Sequence, residues 1–99
     1  MNMQRLMQEA QKMQAQLQKD QKELENSIYE GSSSNVSLKI NGKFELVDIK
    51  LNLDEDFDKD DVEILEDMIM VALNDAVKKV AKDKEKKMGK YGQGLTGLM

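Results

Sequence analysis

Acidic residues grouped in the middle of the chain are the first candidates for chemistry. Six carboxylates stand within residues 54–61. Three of them have the one-three-five spacing of a calcium-binding EF-hand loop: Asp56, Asp58 and Asp60. The sixth position of such a loop needs glycine, but Asp61 stands there, and residues 50–53 before the acids have the pattern of a strand instead of the required helix. We therefore interpret the acids as a solvated surface that favours the start of the following helix through the helix dipole.

Two absent residue types exclude most catalytic designs. The sequence contains neither histidine nor cysteine. It therefore lacks the commonest general base and metal ligand, and it forms no disulfide framework and no thiolate metal site. Pairs of carboxylates from the acidic run have the chemistry for acid–base catalysis, but no pattern marks a pocket around them. We predict a protein that is not an enzyme and that uses no cofactor and no metal.

A lysine-rich stretch near the end of the chain is the second candidate site. Residues 78–90 hold seven lysines against Asp83 and Glu85. Lys78, Lys82 and Lys86 lie four residues apart, which places them on one face of a helix. Such a row suits successive phosphate contacts along a duplex. Cations at the end of a helix are also common because they complement its dipole, and taken alone the row favours this simpler interpretation.

The elements that position these residues begin with a long amphipathic helix. From residue 3 to about residue 27, apolar residues recur at alternating intervals of three and four. They are Met3, Leu6, Ala10, Met13, Leu17 and Leu24. Asp20 occupies the one position of this seam that should be apolar. At about 1.5 Å per residue, a helix of roughly 25 residues extends about 37 Å.

Three strands of a small antiparallel sheet are predicted next. Residues 28–30 form only a short strand, because Gly31 and the three serines after it indicate a turn. The alternation of Val36, Leu38 and Ile40 with polar residues predicts a second, half-buried strand. After residue 46 the alternation changes phase, which indicates either a bulge near residues 46–47 or a strand that is buried on both faces.

The Asn41-Gly42 pair predicts the turn between the second and third strands. A two-residue loop would place apolar residues opposite charged ones, so the pattern favours a three-residue loop over residues 40–42. In that loop Gly42 adopts the left-handed conformation, Leu38 pairs with Phe44, and Val36 pairs with Leu46.

A second long helix follows the acidic run. Asp60 as N-cap and Glu63 three positions later have the pattern of a capping box. A wide apolar stripe then extends from residue 62 to residue 80 and fades after Ala81. The last eleven residues contain Gly89, Gly92, Gly94 and Gly97, so we predict a flexible tail over residues 89–99.

The lengths of these elements predict a dimer. Strands of about six residues cover roughly 20 Å, so two helices of this length must extend beyond any sheet that the chain builds. Their apolar residues then need cover, and a second copy of the chain is the simplest source. The candidate interface residues are Met3, Leu6, Met7, Ile69 and Leu73. No segment approaches the ~20 apolar residues of a membrane span, so we expect a cytoplasmic protein without membrane contact.

The whole pattern resembles the YbaB/EbfC family of nucleoid-associated proteins. The features that carry the resemblance are residues 7–14 (MQEAQKMQ), 36–42 (VSLKING), 65–67 (LED), 72–76 (ALNDA) and the end 94–99 (GLTGLM). Residues 1–88 then form one domain of this family, followed by the tail over residues 89–99. The resemblance implies an α+β protomer of helix, three strands and helix, assembled as a homodimer with projecting helices. It also implies binding of double-stranded DNA with low sequence preference.

We predict the individual DNA contacts from the charge and placement of the residues, because the resemblance does not fix them. They are Arg5, Lys12, Lys19, Lys22, Lys78, Lys79, Lys82, Lys86, Lys87 and Lys90. The net charge of −4 is unlike that of a basic DNA packager, so we expect local, salt-dependent binding through basic helices. The alternative is a cytoplasmic protein–protein adaptor without direct DNA binding, with a DNA-repair protein as a possible partner.

Overall fold

Two long helices and a three-stranded antiparallel sheet make up the protein. The computed structural model describes residues 2–96, apart from the side chains of residue 90 and of residues 92–96. The elements in chain order are α1 (Met3–Asn26), β1 (Ile28–Ser33), β2 (Val36–Asn41), β3 (Leu46–Leu51) and α2 (Val62–Thr96). The sheet order is β1-β2-β3. The predicted α+β class and order of elements are confirmed.

Helix α1 has nearly the predicted bounds. Its N-cap is Asn2, whose side chain accepts a hydrogen bond from the backbone N–H of Arg5 at 3.4 Å. At the other end the N–H of Ser27 donates to the carbonyl oxygen of Leu24 at 3.3 Å. Only Asp20 and Leu24 are buried within α1. The helix therefore projects from the body of the molecule and attaches to it through its last turns.

Strand β1 is longer than predicted. It pairs with β2 as far as Ser33, opposite Val36, so the turn begins only at Ser34. The prediction of a short strand ending at residue 30 was wrong, because Gly31 serves helix packing here and does not form a turn. Helix α2 crosses the strand so closely that a Cβ on Gly31 would lie 2.0 Å from the carbonyl oxygen of Ala72.

The turn between β2 and β3 differs from the predicted one. Ile40 pairs with Leu46 and Leu38 with Ile49, so the predicted pairing of Leu38 with Phe44 was wrong. Phe44, with φ of 64°, occupies the left-handed region in place of Gly42. The glycine is needed for space instead, because a Cβ on Gly42 would lie 1.8 Å from the carbonyl oxygen of Leu24 in α1.

A bulge in β3 accounts for the predicted change of phase. Ile40 pairs with Leu46 and Lys39 with Asp48, which leaves Val47 without a direct partner. The bulge brings three apolar side chains of β3 to the face that carries the core: Leu46, Ile49 and Leu51. Of the two alternatives left open by the sequence, the bulge is the correct one.

The core lies between the sheet and α2. It consists of Val36, Leu38 and Ile40 from β2 and Ala72, Ala76 and Val80 from α2. Small alanines at the crossing let the helix approach the sheet, and the β-branched side chains fill the space beside them. The apolar stripe predicted for the second helix therefore supplies the core.

The cap before helix α2 lies two residues earlier than the predicted one. The N-cap is Asp58, which forms a capping box with Asp61 and starts a single 3-10 turn, Lys59–Asp61, before the helix proper. Asp60 lies inside this turn, so its predicted role as N-cap was wrong. The helix continues through Thr96 and so includes most of the segment predicted as a tail, whose flexibility stays a prediction. Residues 97–99 lie outside the described residues.

Candidate nucleic-acid interface

Three lysines of α2 form an exposed row. Lys78, Lys82 and Lys86 are all exposed, and none of them forms a salt bridge within the described part of the chain. Four residues of helix separate each from the next, so the row is about 12 Å long. Lys82 and Lys86 also line a shallow recess of the surface beside Asp83. The row therefore offers cations to an external anion.

Two neighbouring lysines have internal partners instead. Lys79 donates to the carbonyl oxygen of Glu30 in β1 at 2.7 Å and lies 3.6 Å from Asp75. Lys87 lies 3.5 Å from the carboxylate of Asp83. These contacts pin α2 to the edge of the sheet and to itself. The structure thus divides the predicted basic stretch into a free row and a structural pair. The contacts with Asp75 and Asp83 have the i,i+4 spacing of helix pairs, whereas the contact of Lys79 with Glu30 depends on the fold.

Tyr29 links β1 to the same part of α2. Its hydroxyl donates a hydrogen bond to the carboxylate of Asp83. Burial first, and then the hydrogen bond to Asp83 and the negative charge of that carboxylate, together raise the pKa of Tyr29 to about 12. Asp83 is therefore a shared acceptor for Tyr29 and Lys87, which fixes the lysine-bearing helix against the sheet.

The basic residues of α1 lie along its exposed surface. Arg5, Lys12, Lys19 and Lys22 are all exposed. Arg5 lies 3.7 Å from Glu9 in a pair that is open to solvent. Lys19 and Lys22 share a shallow recess with Lys87, at the junction of the two helices. The side chain of Lys90 lies outside the described residues, so its contact with DNA stays a prediction.

A buried carboxylate attaches α1 to α2. Asp20 is only 8% exposed and accepts hydrogen bonds from Gln16 at 2.9 Å and from the hydroxyl of Tyr91 at 2.5 Å. The unexpected acid in the apolar seam is explained by this partner on the other helix. The two basic arms are therefore held together by a polar contact between the last turns of α1 and the last turns of α2.

Strand β3 presents an uncovered apolar surface. Over the described residues, no Cα of either helix comes within 8 Å of a Cα of β3. Leu46, Ile49 and Leu51 extend the core face beyond the edge of α2, and Ile49 is 40% exposed. Among the predicted interface residues, Ile69 packs against the core and Leu73 is partly exposed. The other three are exposed on α1: Met3, Leu6 and Met7. The sequence predicted this strand but not its role as a candidate interface, although apolar residues at both odd and even positions of β3 were a signal for that role.

The acidic segment forms no evident cation site. No group of three or more acids in the described residues has a metal-binding arrangement. Asp58 and Asp61 instead accept hydrogen bonds from backbone N–H groups of the turn before α2. Separately, neither helix, over its described residues, is long and apolar enough to cross a membrane.

Comparison with known proteins identifies the family. The model of the YbaB/EbfC DNA-binding family matches residues 1–95. A nucleoid-associated protein of Chloroflexus aurantiacus is 43% identical over 99% of this chain and 99% of its own length. One of Ligilactobacillus salivarius is 39% identical over 99% of this chain and 95% of its own, and one of Legionella pneumophila is 37% identical over 95% and 84%. With this match over nearly its whole length, the chain belongs to the YbaB/EbfC DNA-binding family.

Proposed function

We propose that this chain is a homodimeric, nucleoid-associated protein that binds duplex DNA through phosphates and with low sequence preference. The family match and the names of the relatives support DNA as the ligand. The observation that carries the mode of binding is the exposed row of Lys78, Lys82 and Lys86, which forms no internal salt bridge in the described residues.

The chemistry of the row supports low sequence preference. A lysine ammonium is a compact point charge that binds phosphate without the planar, two-pronged geometry with which arginine reads guanine. Arg5 is the only arginine of the chain. Contacts made mainly by lysines position a protein on the backbone of DNA but carry little information about its bases.

The distribution of charge supports local contact. The acids of residues 54–61 lie in the loop and the turn before α2, and Lys82 is 20 residues, or about 30 Å, beyond the start of that helix at Val62. This distance exceeds the Debye length of about 8 Å at physiological ionic strength, so the acids weaken the potential at the row only slightly. Repulsion of DNA by the acidic end directs the duplex to the basic arms.

The uncovered face of β3 supports the dimer. Its apolar side chains continue the core face of the sheet but receive no cover from either helix in the described residues. Large apolar patches of this kind mark interfaces between proteins. A two-fold dimer through this face covers it with an identical surface and gives the assembly two lysine rows. This interface uses Leu46, Ile49 and Leu51 together with Leu73 of the predicted set.

A DNA mobility-shift assay with a matched control tests the proposal. Replacing Lys78, Lys82 and Lys86 by Glu is expected to abolish the retardation of duplex DNA at low salt. The control variant replaces Lys43, Lys50 and Lys59, which are also exposed, by Glu and so changes the total charge equally. It is expected to retain most of the binding, because these lysines lie on the sheet and the acidic loop.

The assay also measures salt dependence and sequence preference. The affinity for DNA falls as salt is added, and each phosphate contact makes the slope of log affinity against log salt concentration steeper by about 0.9. A shallower fall is therefore expected for variants that lack part of the row. Duplexes of different sequence are expected to bind alike. Equal losses in the two triple variants would contradict the lysine row, and no retardation by the unaltered protein at low salt would favour the adaptor function instead.

A further inference from the structure

The turn after β2 contains a pair of residues that can react with each other. Asn41 is followed directly by Gly42, and no other asparagine of the chain precedes a glycine. In such a pair the backbone nitrogen of the glycine can attack the side-chain amide carbon of the asparagine. Glycine favours this attack because it has no Cβ to hinder the approach and adopts backbone conformations that other residues avoid. The reaction removes the side-chain amide, and asparagine is accordingly among the thermolabile residues.

The fold uses both residues of the pair. A Cβ on Gly42 would lie 1.8 Å from the carbonyl oxygen of Leu24 in α1, so only glycine leaves room for the helix. The Oδ1 atom of Asn41 accepts hydrogen bonds from the backbone N–H groups of Lys43 at 2.9 Å and of Glu45 at 3.1 Å. Its Nδ2 atom donates to the carboxylate of Glu45 at 2.8 Å. Aspartate could replace the acceptor but not this donor, so the turn depends on the reactive pair itself.

The folded turn restrains both reacting groups. The N–H of Gly42 donates to the carbonyl oxygen of Glu25 in α1 at 3.2 Å, so the attacking nitrogen is held by the helix. The amide that it must attack is bonded at both ends, through its oxygen to the backbone and through its nitrogen to Glu45. The two groups must leave these partners before they can rotate toward each other. The reaction therefore proceeds from a locally opened turn.

We propose that Asn41 is a deamidation site that the closed turn, docked on the end of α1, keeps unreactive. In the opened turn the nitrogen of Gly42 forms a bond to Cγ of Asn41 and the bond from Cγ to Nδ2 breaks. The proton of the attacking nitrogen leaves with Nδ2 as ammonia. Water then opens the resulting cyclic imide at either carbonyl. One opening gives aspartate at position 41, and the other gives isoaspartate, in which the backbone runs through the former side chain.

Either product opposes closure of the turn. Aspartate places a carboxylate oxygen where Nδ2 stood, 2.8 Å from the carboxylate of Glu45, and the two negative charges repel each other. Isoaspartate adds a carbon to the backbone before Gly42 and so displaces the N–H that binds Glu25. In both cases the end of α1 loses its contact with the turn. The change is irreversible, and it requires neither DNA nor the proposed dimer.

Peptide mapping of the full chain measures the rate of deamidation. The protein is incubated in mildly alkaline buffer, either folded or unfolded in guanidinium chloride, and trypsin then releases residues 40–43 for mass spectrometry. The folded protein is expected to react at least about tenfold more slowly, which corresponds to an opening free energy of about 1.4 kcal/mol. Equal rates in the folded and the unfolded chain would overturn the proposal.

Variants of Glu45 test the restraint on the amide. Glu45→Ala removes the acceptor for Nδ2 and is expected to speed the reaction of the folded protein. Glu45→Gln keeps an oxygen acceptor at the same place and is the matched control. Both variants are expected to react alike when unfolded, which separates opening of the turn from the intrinsic chemistry of the pair. Equal rates for the two folded variants would contradict the proposal.

The substitution Asn41→Asp reproduces one product and tests its effect on the fold. It is expected to lower the urea concentration at the midpoint of unfolding. Asn52→Asp makes the same charge change at an exposed residue after β3 and is expected to have little effect. Adding Glu45→Gln to Asn41→Asp is expected to recover most of the loss, because the repulsion is removed and the new amide can donate to the aspartate. If Asn41→Asp is as stable as Asn52→Asp, or if Glu45→Gln recovers nothing, the proposal is wrong.

Discussion

Two glycines mark the points where the helices touch the sheet. A Cβ on Gly31 would lie 2.0 Å from the carbonyl oxygen of Ala72 and 2.8 Å from the backbone nitrogen of Ala76 in α2. A Cβ on Gly42 would meet the carbonyl oxygen of Leu24 in α1 at 1.8 Å. Neither glycine has a positive φ. Both are needed because helix backbone, which cannot retreat as a flexible side chain can, occupies the space of a side chain.

The substitution Gly31→Ala is expected to destabilise the fold. Overpacking of this kind costs about 1–3 kcal/mol or more, because the added methyl group forces the helix away from the sheet. The control is Gly89→Ala, where the new Cβ meets no atom within 4 Å; in a helix this change is expected to stabilise by up to about 1 kcal/mol. Urea unfolding measures both free energies. Similar effects at the two positions would contradict the close crossing at Gly31.

Ionisation of Tyr29 makes the stability of the fold depend on pH in the alkaline range. The pKa of its phenol is raised from 10.0 to about 12, by burial first and then by Asp83. A group whose pKa is raised on folding contributes stability that is complete below the unfolded pKa and is lost as the pH rises through the folded one. Here the loss falls between about pH 10 and about pH 12.

Absorbance titration can isolate Tyr29. The chain has two tyrosines, so in a Tyr91→Phe background the tyrosinate signal comes from Tyr29 alone. Its midpoint is expected near pH 12, and Asp83→Asn is expected to lower it, since the carboxylate raises the pKa. A midpoint at the ordinary tyrosine value of 10.0 in the folded protein would show that the contact with Asp83 does not form in solution.

A polar contact joins the two helices. Only Leu24 among the apolar residues of α1 is buried, whereas Asp20 is buried with Gln16 and Tyr91 as partners. A hydrogen bond to a charged group is stronger than a neutral one, but its loss leaves a buried charge without that partner. The contact between Asp20 and Tyr91 therefore helps to hold α1 against α2.

Removal of the Tyr91 hydroxyl is expected to loosen α1. Tyr91→Phe deletes the donor to Asp20 and is expected to cost about 1.5–3 kcal/mol, the range for hydrogen bonds to charged groups. Amide hydrogen exchange is expected to quicken in residues 16–24 and to stay unchanged in the β2 core. Gln16→Ala, which removes the other described donor from the same helix, is the control for a local effect. Unchanged exchange in α1 would show that other contacts hold the arm.

At the scale of the whole molecule, one strand lacks cover. Helix α2 packs over β1 and β2, while β3 pairs only with β2 in the described residues. Exposure of the apolar residues on the core face of β3 costs about 25 cal/mol of free energy for each Å² of apolar surface that stays in water. A second copy removes this cost, which is the physical reason for expecting a dimer of an 11.3 kDa chain.

The substitution Ile49→Lys is expected to convert the dimer to a monomer without unfolding it. Ile49 is 40% exposed in the single chain, so a lysine there extends into solvent in the monomer but is buried in the proposed interface. Val71→Lys is the matched control, since Val71 is also exposed and lies beside Ser32 of β1, at the opposite edge of the sheet. Light scattering measures the mass of each. A dimeric Ile49→Lys variant would place the interface elsewhere.

Local patterns determined much of this protein from the sequence. The apolar residues at intervals of three and four in α1, the alternation in β2 and the phase change in β3 all involve residues close together in the chain. The element order and the helix start at Met3 were therefore predicted correctly, and the bulge was one of two alternatives that the sequence left open. The lack of histidine and cysteine restricted the chemistry in the same direct way. The order of the quoted segments was also enough to indicate the family.

The tertiary structure decided what depends on residues far apart in the chain. The packing of α2 on Gly31 extended β1, and the contact of α1 with Gly42 set the turn after β2. Contacts with Glu30 and Asp83 separated Lys79 and Lys87 from the free lysine row, and Tyr91 explained the acid in the seam of α1. Except for the pair of Lys87 and Asp83, which are four residues apart on one helix, each of these rests on atoms that folding brings together from distant parts of the sequence.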